Sequence, residues 1–169
     1  MRFKRGVTPE IKRGYSKSHS GLTELWLEIG IDCPHKCSFC FNRAGGIRHE
    51  EGLMDEKEYA DILKQFKELG GKTVGLPGAG EPFFGKNKNL TLKIMAYCIK
   101  NKMHLVIFTS GYLLDNKLIS KLNKPNISLM IKYNTFDMNK QDKMVGTPGY
   151  SKKRNENSEA PNHSKLWGF

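Results

Sequence analysis

Hydrophobic and polar positions alternate from Leu22 to Ile29, where Leu25, Leu27 and Ile29 are interleaved with Glu24, Trp26 and Glu28. A two-residue period of this kind predicts a strand. The period then lengthens. Tyr59, Ile62, Leu63, Phe66 and Leu69 recur at helical spacing on one face, preceded by Asp55 as N-cap with Glu58 three residues on, and stopped by Gly70 and Gly71. A short strand over Thr73 to Leu76 runs into Pro77-Gly-Ala-Gly-Glu-Pro82. A second helix is predicted over Asn89 to Lys100, with Leu90, Ile94 and Cys98 stacked four apart.

His104 to Thr109 is a nearly continuous apolar run, as expected of a strand covered on both faces, and it ends at Ser110-Gly111. Asp115 caps a third helix, with Leu114 and Ile119 spaced as a hydrophobic staple and Pro125 just past its end. Ile127 to Ile131 reads as a fourth strand leading into Lys132-Tyr-Asn-Thr-Phe136, and Asp137 caps a short final helix before Gly146. From Pro148 onward the periodicity is lost. Arg154 to His163 contains one alanine and no larger aliphatic residue, so residues 147–169 are expected to form an irregular tail, with Trp167 and Phe169 as isolated aromatic residues.

Strand and helix alternate with short connections and no hairpin pattern, which predicts an α/β fold with parallel strands joined by right-handed βα crossovers. Whether the sheet is open or part of a barrel, ligands then gather at the C-terminal ends of the strands. The loops carrying Cys33 to Cys40, Gly78 to Pro82, Thr109 to Gly111 and Lys132 to Asn134 should therefore lie at one end.

Length and charge narrow the picture further. The chain has 169 residues, enough for one domain with a core. No apolar run approaches the roughly 18 residues of a membrane span, and no apolar segment follows the basic N-terminal residues, so no membrane association and a reducing, cytoplasmic location are expected. Lys and Arg exceed Asp and Glu by 28 to 17, a net charge of +11. Residues 1–21 form a basic arm in which six basic residues face Glu10 alone. Such an arm is ordinarily a solvated tail, and no aromatic-interleaved basic stripe suggests nucleic acid.

Three of the four cysteines, Cys33, Cys37 and Cys40, fall within eight residues. In a reducing compartment such clustering favours an inorganic centre over disulfides. Zinc, with His35 or His49 as fourth ligand, is one alternative, although structural zinc sites usually show a second matched ligand pair and none is present. Cys98, on the apolar face of its helix, reads as a small buried hydrophobe. His19, His104 and His163 belong to no constellation.

Cys33-x3-Cys37-x2-Cys40, with Phe39 before the last cysteine, resembles the cluster motif of the radical S-adenosylmethionine enzymes. Gly78-Ala-Gly-Glu-Pro82 is similar to that family's Gly-Gly-Glu-Pro segment, with Ala79 in place of a glycine, and Thr109-Ser110-Gly111 resembles its Thr-Asn-Gly turn. The resemblance spans residues 22–146 and implies a partial TIM-like barrel of the radical SAM type. It also implies a [4Fe-4S] cluster held by Cys33, Cys37 and Cys40, whose fourth iron, lacking a protein ligand, binds S-adenosylmethionine. The cofactor would be contacted by Phe39 at the adenine, by backbone at Gly78 and Gly80, and by Glu81 at the methionine ammonium. Ser110, Lys132 and Asn134 are candidates for ribose or carboxylate contacts.

The implied reaction is one-electron cleavage of the cofactor to methionine and a 5′-deoxyadenosyl radical that abstracts hydrogen from a substrate. A low-potential donor of flavodoxin or ferredoxin type would supply the electron, and the basic arm would help such an acidic protein dock. The resemblance implies six βα units where four strands are counted, so the chain looks like the N-terminal part of such a core, either truncated, frameshifted at its tail or completed by a partner chain. The alternative function is a non-catalytic iron–sulfur-binding or interaction remnant.

Overall fold

The computed structural model describes residues 22–42 and 54–159. The arm at 1–21, His49, and the tail residues His163, Trp167 and Phe169 lie outside the described residues. In chain order the elements are β1 (Glu24–Trp26), α1 (Glu56–Glu68), β2 (Thr73–Leu76), α2 (Asn87–Lys100), β3 (His104–Thr109), α3 (Asn116–Leu122), β4 (Ile127–Ile131), α4 (Met138–Val145) and α5 (Tyr150–Glu159). The strands form one parallel sheet in the order β1-β2-β3-β4. Chain order and sheet order coincide, as expected when each helix returns the chain to the neighbouring strand.

Register explains the apolar runs. Leu25, Val74, Leu105 and Ile127 stand side by side across the sheet, and Leu76, Ile107 and Leu129 form a second row. Both rows belong to the hydrophobic core, where they meet Tyr59, Leu63 and Phe66 of α1, Ile94 and Cys98 of α2, and Leu118, Ile119 and Leu122 of α3. The other pleat side carries Trp26 and Phe108, whose rings lie 5.8 Å apart. Gly75 is required beneath them, since a Cβ there would come within 2.5 Å of the Trp26 ring.

The helix ends follow the local chemistry. Asp55 accepts from the Glu58 amide at 2.9 Å while the Glu58 carboxylate accepts from the Asp55 amide at 2.7 Å, the reciprocal capping box its sequence predicts. Asp115 and Asp137 cap α3 and α4 from one side only, each carboxylate accepting from the amide three residues on, Leu118 and Lys140. Gly146, at φ 66°, ends α4 in the left-handed conformation that suits glycine.

Two expectations need correction. The strand expected over Leu22 to Ile29 pairs only over Glu24–Trp26, although Leu27, Ile29 and Ile31 remain buried beyond it and the Leu27 amide still donates to the Gly75 carbonyl. The tail expected to be irregular from residue 147 contains helix α5 over Tyr150–Glu159. Its buried face consists of Tyr150, Ser151 and Arg154 rather than aliphatic residues. Arg154 is 1 % exposed, and its guanidinium lies 3.5 Å from the Tyr133 ring centroid and 5.2 Å from that of Tyr150. Aromatic faces stabilise a cation in this geometry, so α5 docks through stacking that an aliphatic periodicity does not reveal. Among the described residues no helix is long and apolar enough to cross a membrane.

Candidate functional site

At the C-terminal end of the sheet the four expected loops border one cleft of ≈ 410 Å³. Its walls include Cys33, Cys37, Phe39 and Cys40 after β1, Gly78, Gly80 and Glu81 after β2, Thr109 and Ser110 at the end of β3, and Lys132 after β4. All three cysteines are partly buried, whereas Cys98 is fully buried in the core, where burial pushes its thiol up to about 12. The thiol group available for ligation is thus confined to one loop.

Backbone contacts fix that loop. The Lys36 amide donates to the Val145 carbonyl at 3.1 Å and the Ser38 amide to the Met144 carbonyl at 2.8 Å, seating the loop on the C-terminal turn of α4. From the β1 side, the Asp32 carbonyl accepts from the Glu81 amide at 2.8 Å and from Asn87 Nδ2 at 3.0 Å, while the Asp32 carboxylate accepts from the Lys86 amide at 2.8 Å. Gly80 is demanded by this junction, because a Cβ would lie 2.4 Å from the Asp32 oxygen and 2.7 Å from the Ile31 carbonyl carbon. Gly78 adopts φ +79°, where a Cβ would press on the Gly80 carbonyl at 2.8 Å. Both glycines line the cleft, yet the close approach each permits is first of all between parts of the chain itself. Ala79 is held from two sides, its amide donating to Glu28 at 2.5 Å and its carbonyl accepting from Asn42 at 3.1 Å.

Glu81 is buried on the cleft wall. One carboxylate oxygen accepts from the Thr109 hydroxyl at 2.5 Å and the other from the Ser110 amide at 2.8 Å. Burial raises its pKa, against the opposing pull of these bonds and of the Phe83 amide. A carboxylate has about four acceptor positions, so two strong bonds leave capacity for a further donor.

The remaining expected residues divide. Phe39 borders the cleft with the Lys132 ammonium 4.4 Å above its ring centroid. Asn134 does not reach the cleft wall; its amide and side chain pair with Gln141, which is buried beneath the turn. The Ser110 hydroxyl lies 3.2 Å from His35 Nε2 and accepts from the Tyr112 amide at 3.3 Å. His35 was a candidate zinc ligand, but both ring nitrogens are within hydrogen-bond reach of hydroxyls, Nδ1 at 2.9 Å from Thr147. Among the described residues no three His, Cys, Asp or Glu side chains gather closely enough to hold a single metal ion.

Tyr150 and Tyr133, on the cleft wall, escaped sequence reasoning, as did Arg154 behind them. Their partners lie far along the chain, and only the burial of aromatic residues in an otherwise polar stretch marks them. The Tyr150 hydroxyl donates to the Ser110 carbonyl at 2.7 Å and stays protonated, its pKa pushed up to about 12 by burial.

This donor set fits an iron–sulfur cubane. Each iron of such a cluster takes its own thiolate, so the group calls for three thiols around a cavity rather than about a point. Three cysteines bordering one cleft, with a buried acceptor facing it, meet that requirement.

Comparison with known proteins agrees. The chain is 28 % identical over 131 residues to a PqqA peptide cyclase of Granulibacter bethesdensis, an alignment covering 77 % of this chain and 34 % of the relative. It superposes on SuiB of Streptococcus suis bound to precursor peptide SuiA with a TM-score of 0.61 at 25 % identity, covering 81 % of this chain and 31 % of SuiB. The same protein bound to S-adenosylmethionine gives a TM-score of 0.62 at 24 % identity, with coverage of 82 % and 32 %. The chain thus spans about a third of the length of these relatives. The model of the Radical SAM superfamily, a family that uses a [4Fe-4S] cluster and S-adenosylmethionine, matches residues 27–157. On a match of that extent, over a parallel βα sheet with its cysteines at the strand ends, the chain belongs to the radical SAM superfamily.

Proposed function

We propose that this chain holds a [4Fe-4S] cluster through Cys33, Cys37 and Cys40 and binds S-adenosylmethionine in the adjoining cleft for reductive cleavage. When bound, the cluster and cofactor supply an electron and a carbon-centred radical able to take hydrogen from a substrate. The observation that carries this reading is that all three thiols border the same cleft as Glu81. Glu81 presents a buried carboxylate whose ionisation is disfavoured by burial, so an ammonium brought by the cofactor is a suitable charge partner. Phe39 and Lys132 offer an aromatic ring and a cation on the same cleft, suited to a base and to a carboxylate or ribose oxygen. Tyr150 and Tyr133 contribute apolar rings that limit water in the cleft. A peptide is the substrate class we favour, since a peptide cyclase and a precursor-peptide complex are among the relatives.

Anaerobic reconstitution, dithionite and S-adenosylmethionine provide the test. The expected result is iron and sulfide bound to the chain together with release of 5′-deoxyadenosine, both lost in Cys37→Ala. Zinc without iron would defeat the cluster reading. A cluster-replete protein that releases no 5′-deoxyadenosine would leave the non-catalytic alternative standing.

A further inference from the structure

His35 sits midway between two of the cysteines, yet its ring is held by residues far along the chain. It is 3 % exposed. Nδ1 lies 2.9 Å from Thr147 Oγ1, across 112 residues of sequence, and Nε2 lies 3.2 Å from Ser110 Oγ, across 75. The ring meets Tyr112 and Tyr150 edge-on, at centroid distances of 5.3 and 5.1 Å. A histidine with both nitrogens engaged and its ring packed edge-on against a stacked pair of tyrosines, whose centroids are 5.9 Å apart, is held in one place. It is a strut, and what it joins is informative.

On one side of the strut is the cysteine loop. On the other is Ser110, whose amide donates to Glu81 at 2.8 Å and whose carbonyl accepts from Tyr150 at 2.7 Å. Thr109, next to it, donates to the second Glu81 oxygen. One run of hydrogen bonds therefore passes from the loop that carries the thiols, through His35 and Ser110, to the Glu81 carboxylate on the cleft wall. Displacing the imidazole removes one of the contacts that hold the Ser110 turn, leaving the Tyr112 amide and the Tyr150 hydroxyl to place one of the two strongest donors to Glu81.

We propose that His35 is a positioning residue. It sets the Ser110 turn against the cysteine loop and so fixes, through Glu81, the affinity of the cleft for S-adenosylmethionine and the way the cofactor meets the cluster. This role rests on the function proposed above. It makes no claim that His35 touches either group.

Three readouts test it on the anaerobically reconstituted chain: iron and sulfide content, the dissociation constant for S-adenosylmethionine, and the change in the electron paramagnetic resonance spectrum of the reduced cluster on adding the cofactor. His35→Phe keeps a ring against the tyrosine pair and removes both hydrogen bonds. We expect iron content to hold, affinity to fall by about three- to tenfold, the scale of one net hydrogen bond, and the cofactor-induced spectral change to alter. His35→Gln, whose amide nitrogen can stand near the position of Nε2, should recover more affinity than His35→Asn, which can serve only the Thr147 side. Ser110→Ala should match His35→Phe, and the double variant should be no worse than the poorer single one, because both act through one contact.

Unchanged affinity and spectrum in His35→Phe, or losses that simply add in the double variant, would overturn the proposal. If His35→Phe takes up no iron, Thr147→Val and Ser110→Ala carry the test with the loop sequence intact. Their effects should be coupled through His35, and independent effects would count against it. A wild-type chain that binds neither cluster nor cofactor refutes the functional reading. A wild type that binds both, with variants indistinguishable from it, refutes the role of His35 alone.

Discussion

The helix-covered face of the sheet and its C-terminal rim are built by different means. On the covered face, Val74, Leu76, Leu105, Ile107 and Leu129 are all within 1 % of complete burial and present only aliphatic surface. At the rim the buried side chains are His35, Glu81, Asn87, Gln141 and Arg154, each tied to a partner in another segment. The first region is stabilised by area removed from water and tolerates changes that preserve volume; the second depends on matched donors and acceptors, where a single missing partner leaves a buried polar group unsatisfied. Substitutions on the covered face should therefore act mainly on stability, and those at the rim mainly on the proposed cofactor binding.

The largest effect is expected in the aliphatic layer. Ile107→Ala, at a fully buried central position, should cost about 2–5 kcal/mol of stability by denaturant titration. Cofactor affinity of the folded fraction should hold. Glu81→Ala should do the reverse, weakening S-adenosylmethionine binding by about 10- to 100-fold, the scale of a charge-assisted hydrogen bond, while iron content stays at the wild-type level. A Glu81 variant that collapses the fold, or one that binds the cofactor normally, would blur the contrast between the two regions.

A smaller loss, about 1 kcal/mol, is expected for Asp55→Ala, which removes the cap of α1 without touching either region. The smallest effect concerns Cys98. Its thiol ionises near 9.0 when unfolded and at about 12 when buried, so above pH 9.0 the unfolded chain gives up a proton that the folded one keeps. Stability contributed by this burial is complete below pH 9.0 and is lost as the pH rises towards about 12. Melting temperatures of wild type should therefore decline more steeply over that window than those of Cys98→Val. In the metal-free protein at about pH 8.5, iodoacetamide should modify Cys33, Cys37 and Cys40 before Cys98.

The same division explains what could be read from the sequence. Each aliphatic strand and amphipathic helix writes its period locally, which is why β3 and β4 fall at the expected residues and the capping box of α1 appears as anticipated. The cysteine loop and the Glu81 loop were legible too, because a motif and its position after a strand are both local. Helix α5 was not, since its inward face is Tyr150, Ser151 and Arg154, and no hydropathy scan counts an arginine as core. Nor was the placement of His35, whose partners stand 75 and 112 residues away. Asn134 shows the converse: a polar residue at a strand end looks available in sequence, and the fold turns it to Gln141.

The contact between His35 and Thr147 also orders events during synthesis. The cysteines leave the ribosome early, but the residues that brace their loop, Met144 and Val145 with Thr147 and Tyr150, are made more than a hundred residues later. Chains acquire structure from the N-terminus as they emerge. Three thiols therefore wait in a nascent chain without their bracing until the last described helices are complete. Under the proposed function, a cluster would enter the finished loop only after Thr147 has been made, and a nascent chain arrested before it would hold those thiols without their bracing.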